Sequence, residues 1–389
     1  MVGMPQDLLD EAVAASGFDD FGDDSFREGF EILVDSLRTE ARLNPLGEMA
    51  MRRQLVGHLI QRLKVEDWYR RHPEIGDETL MPALIGLGLP RTGSTALSAL
   101  LAEDPDVRSL RLFEANRPCP PPATVVGEDP RITRMESAMA AQDELVPRIK
   151  HLVPVSPTGP AECLDLMALD FKSHSFHAYA RIPSYSSWLL HDADFTPTYQ
   201  YERRVLRLLQ WGGPARAWRL KAPAHMIGID ALAREFPDAK FVMTHRDVME
   251  VLPSVADLYS ELTKVFTDDL DLHYLGSLNV EHWSTGIQRT LSYRADHEDR
   301  FFDIDFRAMQ ADPIGAVRSL YEWLGEEASP EFEQRMRQWW RRSTENREIL
   351  QRPGPGVFGI DEQTVRPLFA EYSARFTRDD HAATADRSH

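Results

Sequence analysis

The stretch that decides the fold is Leu84-Ile85-Gly86-Leu87-Gly88-Leu89-Pro90-Arg91-Thr92-Gly93-Ser94-Thr95-Ala96-Leu97. It opens as a short apolar run, the pattern of a strand buried in a parallel sheet. A Gly/Pro turn follows, and Ser94 and Thr95 stand where a helix begins. Residues 96–102 are rich in Leu and Ala and favour helix. Strand, tight loop and helix N-terminus in that order aim backbone N–H groups and the helix dipole at a phosphate. Residues 88–95 nearly satisfy the phosphate-loop pattern G-x-x-x-x-G-K-[ST]. Ser94 replaces the lysine, which in that pattern serves the β- and γ-phosphates of a nucleoside triphosphate. The phosphate cradle is kept, and the cation of the loop is Arg91 instead.

The whole chain bounds what this loop can serve. A length of 389 residues fits one large α/β domain with additions, or two domains. The hydrophobic share of 42% and charged share of 27% are those of a soluble globular protein. There is no run of 18 apolar residues, so no transmembrane helix is expected, which leaves peripheral membrane contact open. The first 24 residues are acidic and lack the basic and apolar regions of a signal peptide. Cys119 and Cys163 are the only cysteines, which argues against a disulfide framework and a Cys-based zinc site and fits a cytoplasmic location. The net charge of −18 argues against nucleic acid as a partner. An acidic chain that binds a multiply charged phosphate ligand must gather its cations locally.

Residues 1–24 read as a flexible acidic arm with one short helix near residues 8–14. Residues 25–80 read as an N-terminal helical extension packed on the core, with Met51, Leu55, Leu59 and Leu63 forming one apolar stripe. Residues 81–376 alternate strands and helices, and 377–389 read as a disordered tail. Further strands are expected at 107–113, 215–220, 240–244 and 300–306. This alternation predicts a P-loop-like three-layer α/β domain with a mainly parallel central sheet, the N-terminal helices and helical insertions. Ligands then sit at the carboxyl ends of the strands. Residues 161–171 read as a helix with Glu162 in its first turn. The segment 172–195, with Phe176, Tyr179, Tyr185, Trp188 and Leu189, reads as the cover of an aromatic-lined pocket, the other reading being plain core.

Three strand ends carry a cradle or a cation: residues 90–95, Lys221 after Trp218-Arg219-Leu220, and Arg246 after Phe241-Val242-Met243-Thr244. Ser254 follows Arg246 by two helical turns, so the pair can grip one phosphate.

Four segments resemble one family. Pro90-Arg91-Thr92-Gly93-Ser94-Thr95 resembles the 5′-phosphosulfate loop of sulfotransferases that use 3′-phosphoadenosine 5′-phosphosulfate (PAPS). Arg246-Asp247 with Ser254 resembles their 3′-phosphate site. Leu220-Lys221-Ala222-Pro223-Ala224-His225 resembles the Lys-x-Pro-x-His segment of bacterial, particularly actinobacterial, members. Val357-Phe358-Gly359-Ile360 resembles their C-terminal Phe-Gly-Leu element. The resemblance implies sulfuryl transfer from PAPS to a hydroxyl of a small, apolar or lipidic acceptor, with 3′-phosphoadenosine 5′-phosphate as product. It gives no reason to expect a metal ion, because fixed cations can meet the smaller charge of a sulfuryl group. Many eukaryotic members have Lys where Arg91 stands; Arg cannot donate a proton, so Arg91 is assigned charge stabilisation. Lys221 is the lysine able to approach the transferring group. His225 is the first candidate for the acceptor's base, with capping of the next helix as its other reading. Glu162 is the second, with a helix-dipole role as its other reading. Arg352 is a candidate for the 3′-phosphate. A homodimer stays open. The rival readings are a P-loop kinase or NTPase and a non-catalytic nucleotide-binding protein.

Overall fold

A computed structural model describes residues 2–345 and 351–377. The tail expected over 377–389 falls, from residue 378 onward, outside the described residues.

Five parallel strands form the central sheet: β1 Leu84–Leu87, β2 Arg108–Ser109, β3 Trp218–Lys221, β4 Lys240–His245 and β5 Phe301–Asp305. Their order is β2-β3-β1-β4-β5. The strand that opens the decisive stretch is therefore central, with all four residues buried. Its neighbours diverge in chain order on either side, and such a switch point opens a crevice at the strands' carboxyl ends. The register sets Gly86 beside Lys221 and Leu87 beside Met243, so the loop after β1, Lys221 and Arg246 share one rim. Gly86 is needed for this. A Cβ there would meet the Lys221 Cγ at 2.9 Å, so only glycine lets the lysine stem lie across β1.

The second strand is much shorter than the expected 107–113. Leu112–Asn116 turns helical instead, begun by the Glu114 carboxylate accepting from the Arg111 N–H at 3.3 Å. The other three expected strands form within a few residues of their places.

The stripe Met51, Leu55, Leu59 and Leu63 is buried along the helix Pro45–Arg71. The expectation of a flexible arm at 1–24 is corrected. Pro5–Ser16 is a helix that buries Leu8, Leu9 and Ala12, and it packs on Pro45–Arg71. Its acidic residues lie on the opposite, exposed face. The segment after it is pinned by Arg62, which is fully buried. Arg62 donates to the carbonyls of Phe21, Asp23 and Leu169 at 2.7, 2.7 and 3.0 Å, and faces the buried Asp170 at 3.6 Å. Asp170 is in turn bound by Lys172, Thr198 and Ser25.

Removing one member of a buried, paired charge set leaves the rest without partners, at a cost of about 3–5 kcal/mol. Arg62→Met is expected to lower the unfolding free energy by that amount, read as a lower urea midpoint with an unchanged slope. An unaltered midpoint would show that Arg62 does not hold the N-terminal segment.

Candidate functional site

The loop after β1 closes on itself before it meets any ligand. Gly88 and Gly93 take φ of +114° and +93°. A Cβ on Gly93 would meet Met309 Cε at 2.6 Å. Thr92 is buried, its hydroxyl 2.6 Å from that of Thr244 and donating to the Leu89 carbonyl at 2.8 Å. Its side chain thus locks the loop to β4, which leaves its backbone to face a ligand. The helix Ser94–Leu101 begins at once. Its first internal bond runs from the Leu97 N–H to the Gly93 carbonyl at 3.1 Å, so the N–H groups of Ser94, Thr95 and Ala96 have no intrahelical acceptor. Those donors and the positive end of the dipole mark the place for an anion. Among the described residues, the Ser94 and Thr95 hydroxyls have no hydrogen-bond partner.

Arg91 departs from ordinary backbone, at φ +63°. Its Nε donates to Ser254 Oγ at 3.2 Å and its Nη1 to the Leu152 carbonyl at 2.8 Å. Arg246 donates from Nη1 to the Arg91 carbonyl at 3.2 Å, lies over the Phe306 ring at 4.5 Å and pairs with Glu250 at 2.5 Å. The two expected phosphate grips are therefore one connected cluster. Arg352 belongs with them electrostatically. Burial lowers the Arg91 pKa to about 10, and repulsion from Arg352 and Arg246 adds to the effect. Arg91 still stays charged at neutral pH.

Several braces of this cluster have no signal in a single sequence. Arg148 pairs with Asp257 and Glu261 and donates to the Gln351 carbonyl at 3.3 Å, which fixes the backbone next to Arg352. The Arg246 N–H donates to the Tyr372 hydroxyl at 3.3 Å. Arg366 pairs with Asp247 at 3.0 Å. The C-terminal element docks where a Cβ on Gly276 would meet the Phe358 carbonyl at 1.9 Å, with Phe358 and Ile360 buried.

Two candidate bases end in different places. Glu162 does not lie in a helix; the helix Leu164–Ala168 starts two residues later. Its expected role as a dipole partner is replaced by an ion pair with Lys221 at 2.5 Å, on a side chain still 34% exposed. Asp165, close by, has its carboxyl pushed up to about 6 by burial and by the charge of Glu162. His225, the first candidate for the base, lies inside the fold. It is fully buried in the turn Pro223–Met226, with Nδ1 3.2 Å from the Tyr199 hydroxyl. Burial lowers its pKa to about 3. It neither caps the next helix nor faces the rim.

The aromatic pocket is also corrected. Phe176, Tyr185, Trp188 and Leu189 are core residues, and Tyr185 bonds the carbonyls of Phe171 and Ser173. The same segment holds a buried chain that sequence reading missed: Tyr259 hydroxyl to His174 Nδ1 at 2.8 Å, His174 Nε2 to His282 Nδ1 at 3.1 Å, and His282 Nε2 to Ser186 Oγ at 2.7 Å.

A parallel α/β sheet whose central loop and neighbouring strand ends gather cations defines a P-loop-like anion-binding protein. Comparison narrows the class. A model of the sulfotransferase family matches residues 82–330, and the chain belongs to that family. The crystal structure of sulfotransferase STF9 from Mycobacterium avium superposes with a TM-score of 0.89 at 31% identity, over 96% of this chain and 97% of that one. Sulfotransferase STF1 from Mycobacterium tuberculosis H37Rv gives 0.84 at 29% identity, over 95% and 99%. The omega-hydroxy-beta-dihydromenaquinone-9 sulfotransferase Stf3 of Mycobacterium bovis is 32% identical over 110 residues, 27% of this chain and 28% of that protein. The same relative from Mycobacterium tuberculosis matches equally.

The buried histidines predict acid lability. Burial lowers His58 and His177 to about 4. Between those values and the unfolded value near 6.5, the unfolded chain binds protons that the folded chain does not. Their stabilisation is complete above about pH 6.5 and falls by about 1.4 kcal/mol per pH unit per histidine below it. The urea midpoint should drop steeply from pH 7 to 5, and less steeply in His58→Gln. A midpoint independent of pH in that window would contradict the burial of these rings.

Proposed function

We propose that this chain is a sulfotransferase that moves the sulfuryl group of PAPS to a hydroxyl of a small lipidic acceptor and releases 3′-phosphoadenosine 5′-phosphate. The observation that carries the reading is Arg91. It is a guanidinium set against two further cations, and among the described residues its hydrogen-bond partners are the neutral oxygens of Ser254 and Leu152. Such a cluster is stabilised by a ligand with negative charge.

In this reading the loop 90–95 takes the 5′-phosphosulfate, through its backbone N–H groups and the Ser94 and Thr95 hydroxyls. Arg246, Ser254 and Arg352 take the 3′-phosphate. The bond from sulfur to the 5′-phosphate oxygen breaks as the bond from sulfur to the acceptor oxygen forms. The electron pair leaves on the phosphate oxygen, where Arg91, Lys221 and the loop N–H groups stabilise it. The transition state is loose by analogy with phosphoryl transfer, so position and charge account for most of the rate. The acceptor's proton goes to Glu162, the exposed carboxylate held against Lys221. His225 has no place in this step, because it does not reach the rim. Arg91 and Lys221 supply the fixed positive charge, so the reaction is proposed to run without a metal ion.

The acceptor class draws on a relative. Stf3 is named for omega-hydroxy-beta-dihydromenaquinone-9, which supports a hydroxyl on a lipid-like molecule here. No helix of the described residues is long and apolar enough to cross a membrane, so a lipidic acceptor would be met at a membrane surface or in solution.

The kinase reading is weaker for a specific reason. The nearest acidic strand end to a Walker B, on β5, is already engaged. Asp303 pairs with Arg294 and with His245 at 2.7 Å, and Asp305 caps the following helix through the Ala308 N–H at 2.9 Å.

The proposal is tested by incubating the protein with sulfur-labelled PAPS and a lipid extract. Label is expected in a lipid product, and Glu162→Gln should lower kcat by about 10²–10⁴ while binding of 3′-phosphoadenosine 5′-phosphate is kept. Arg246→Ala should weaken that binding about 10–100-fold, the value of a charge-assisted hydrogen bond. Full turnover in Glu162→Gln would remove Glu162 as the base. Transfer from labelled ATP alone would overturn the sulfotransferase reading.

A further inference from the structure

Behind the rim, three side chains from separate segments face one another. Cys163 precedes the helix Leu164–Ala168, Glu202 lies in Thr196–Gln210, and His225 lies in the turn Pro223–Met226. All three are buried, and one donor atom from each lies within 4.8 Å of the others. The Glu202 carboxylate has only the Cys163 thiol to interact with, and Nε2 of His225 has no hydrogen-bond partner. Buried polar atoms nearly always have one. A carboxyl and an imidazole satisfying each other would stand about 2.7–3.2 Å apart with good geometry. One donor from each of the three instead converges on a shared space.

We propose that Cys163, Glu202 and His225 form a structural binding site for a zinc-like divalent transition metal. The donor set is a thiolate sulfur, an imidazole nitrogen and a carboxylate oxygen, three of the four positions of a tetrahedral zinc site, with the fourth left for a water. A thiolate selects such a metal over magnesium or calcium. Two negative ligands, a neutral imidazole and a dication sum to zero, the condition for complete burial of the centre. Binding exchanges the thiol and carboxyl protons for the metal; two protons leave to solvent, and no electron moves. The second nitrogen of His225 is already engaged by the Tyr199 hydroxyl at 3.2 Å, the outer-shell contact that fixes a ligating imidazole. Zinc bonds of about 2.0–2.3 Å place donors roughly 3.5 Å apart, so donors already within 4.8 Å of one another need close by at most on the order of 1 Å. The small cysteine count excludes a cysteine-rich site, but not this mixed one.

The site bears on the rim without touching it. The Cys163 N–H donates to the Lys221 carbonyl at 3.0 Å, and Glu162 is the next residue back. A metal here would staple the segments that carry Glu162 and Lys221 to the helix Thr196–Gln210. Nothing in this proposal depends on the identity of the sulfuryl donor or acceptor.

The test is to express the full chain in minimal medium with added cobalt, purify it without chelator, and record metal content and the near-ultraviolet spectrum. About one cobalt per chain is expected, with a thiolate-to-cobalt charge-transfer band. The band should survive Cys119→Ala, which assigns it to Cys163 without disturbing the site. Cys163→Ala and Glu202→Gln should lower the bound metal at least tenfold. Purified wild-type protein without stoichiometric metal, cobalt bound without the band, or a band lost in Cys119→Ala would each overturn the proposal.

Discussion

Holding like charges together is the constraint on which the site depends. Burial lowers the Arg91 pKa to about 10, and repulsion from Arg352 and Arg246 adds to it. The fold keeps Arg91 in place with neutral oxygens and Arg246 with a ring and one carboxylate. Leu152 and Ser254 hold the Arg91 guanidinium, the Phe306 ring and Glu250 hold Arg246, and Arg148 holds the chain beside Arg352. An acidic chain of net charge −18 thus contains a small positive region at the end of its central strand. Long-range attraction does not create that region; short-range packing does.

The sheet explains why these groups meet. With β1 central and β3 and β4 on either side, the loop after β1, Lys221 and Arg246 emerge together. Gly86 lets Lys221 cross the strand, and Gly93 lets the loop turn into its helix against Met309. Residues far along the chain complete the arrangement: Tyr372 meets the Arg246 backbone and Arg366 meets Asp247. The family's recurrent loop therefore needs the whole length of the domain for its geometry.

How much of this was legible in the sequence follows from what each signal encodes. The loop, Lys221 and Arg246 were legible because strand ends in a parallel sheet share a rim, and Ser254 because it follows Arg246 by two helical turns. The stripe from Met51 to Leu63 was legible because helical periodicity reports burial directly. The burial of His225 was not legible because spacing from Lys221 gives sequence distance but not the direction of a turn. The arm was misread because acidic composition hid the buried face of Leu8, Leu9 and Ala12. The aromatics at 176–189 were misread because composition does not separate a pocket wall from a core. The Arg62–Asp170 anchor and the Cys163–Glu202–His225 cluster join positions that no local pattern links.

The central claim is that the cation cluster is built for two separate phosphate positions on one adenosine, with protein charges in place of a metal ion. Isothermal titration with 3′-phosphoadenosine 5′-phosphate in a chelator tests it most directly. Saturable one-to-one binding is expected, weakened at least about tenfold when the 3′-phosphate is removed from the ligand. Binding that requires magnesium, or that is equally strong for adenosine 5′-phosphate, would contradict it.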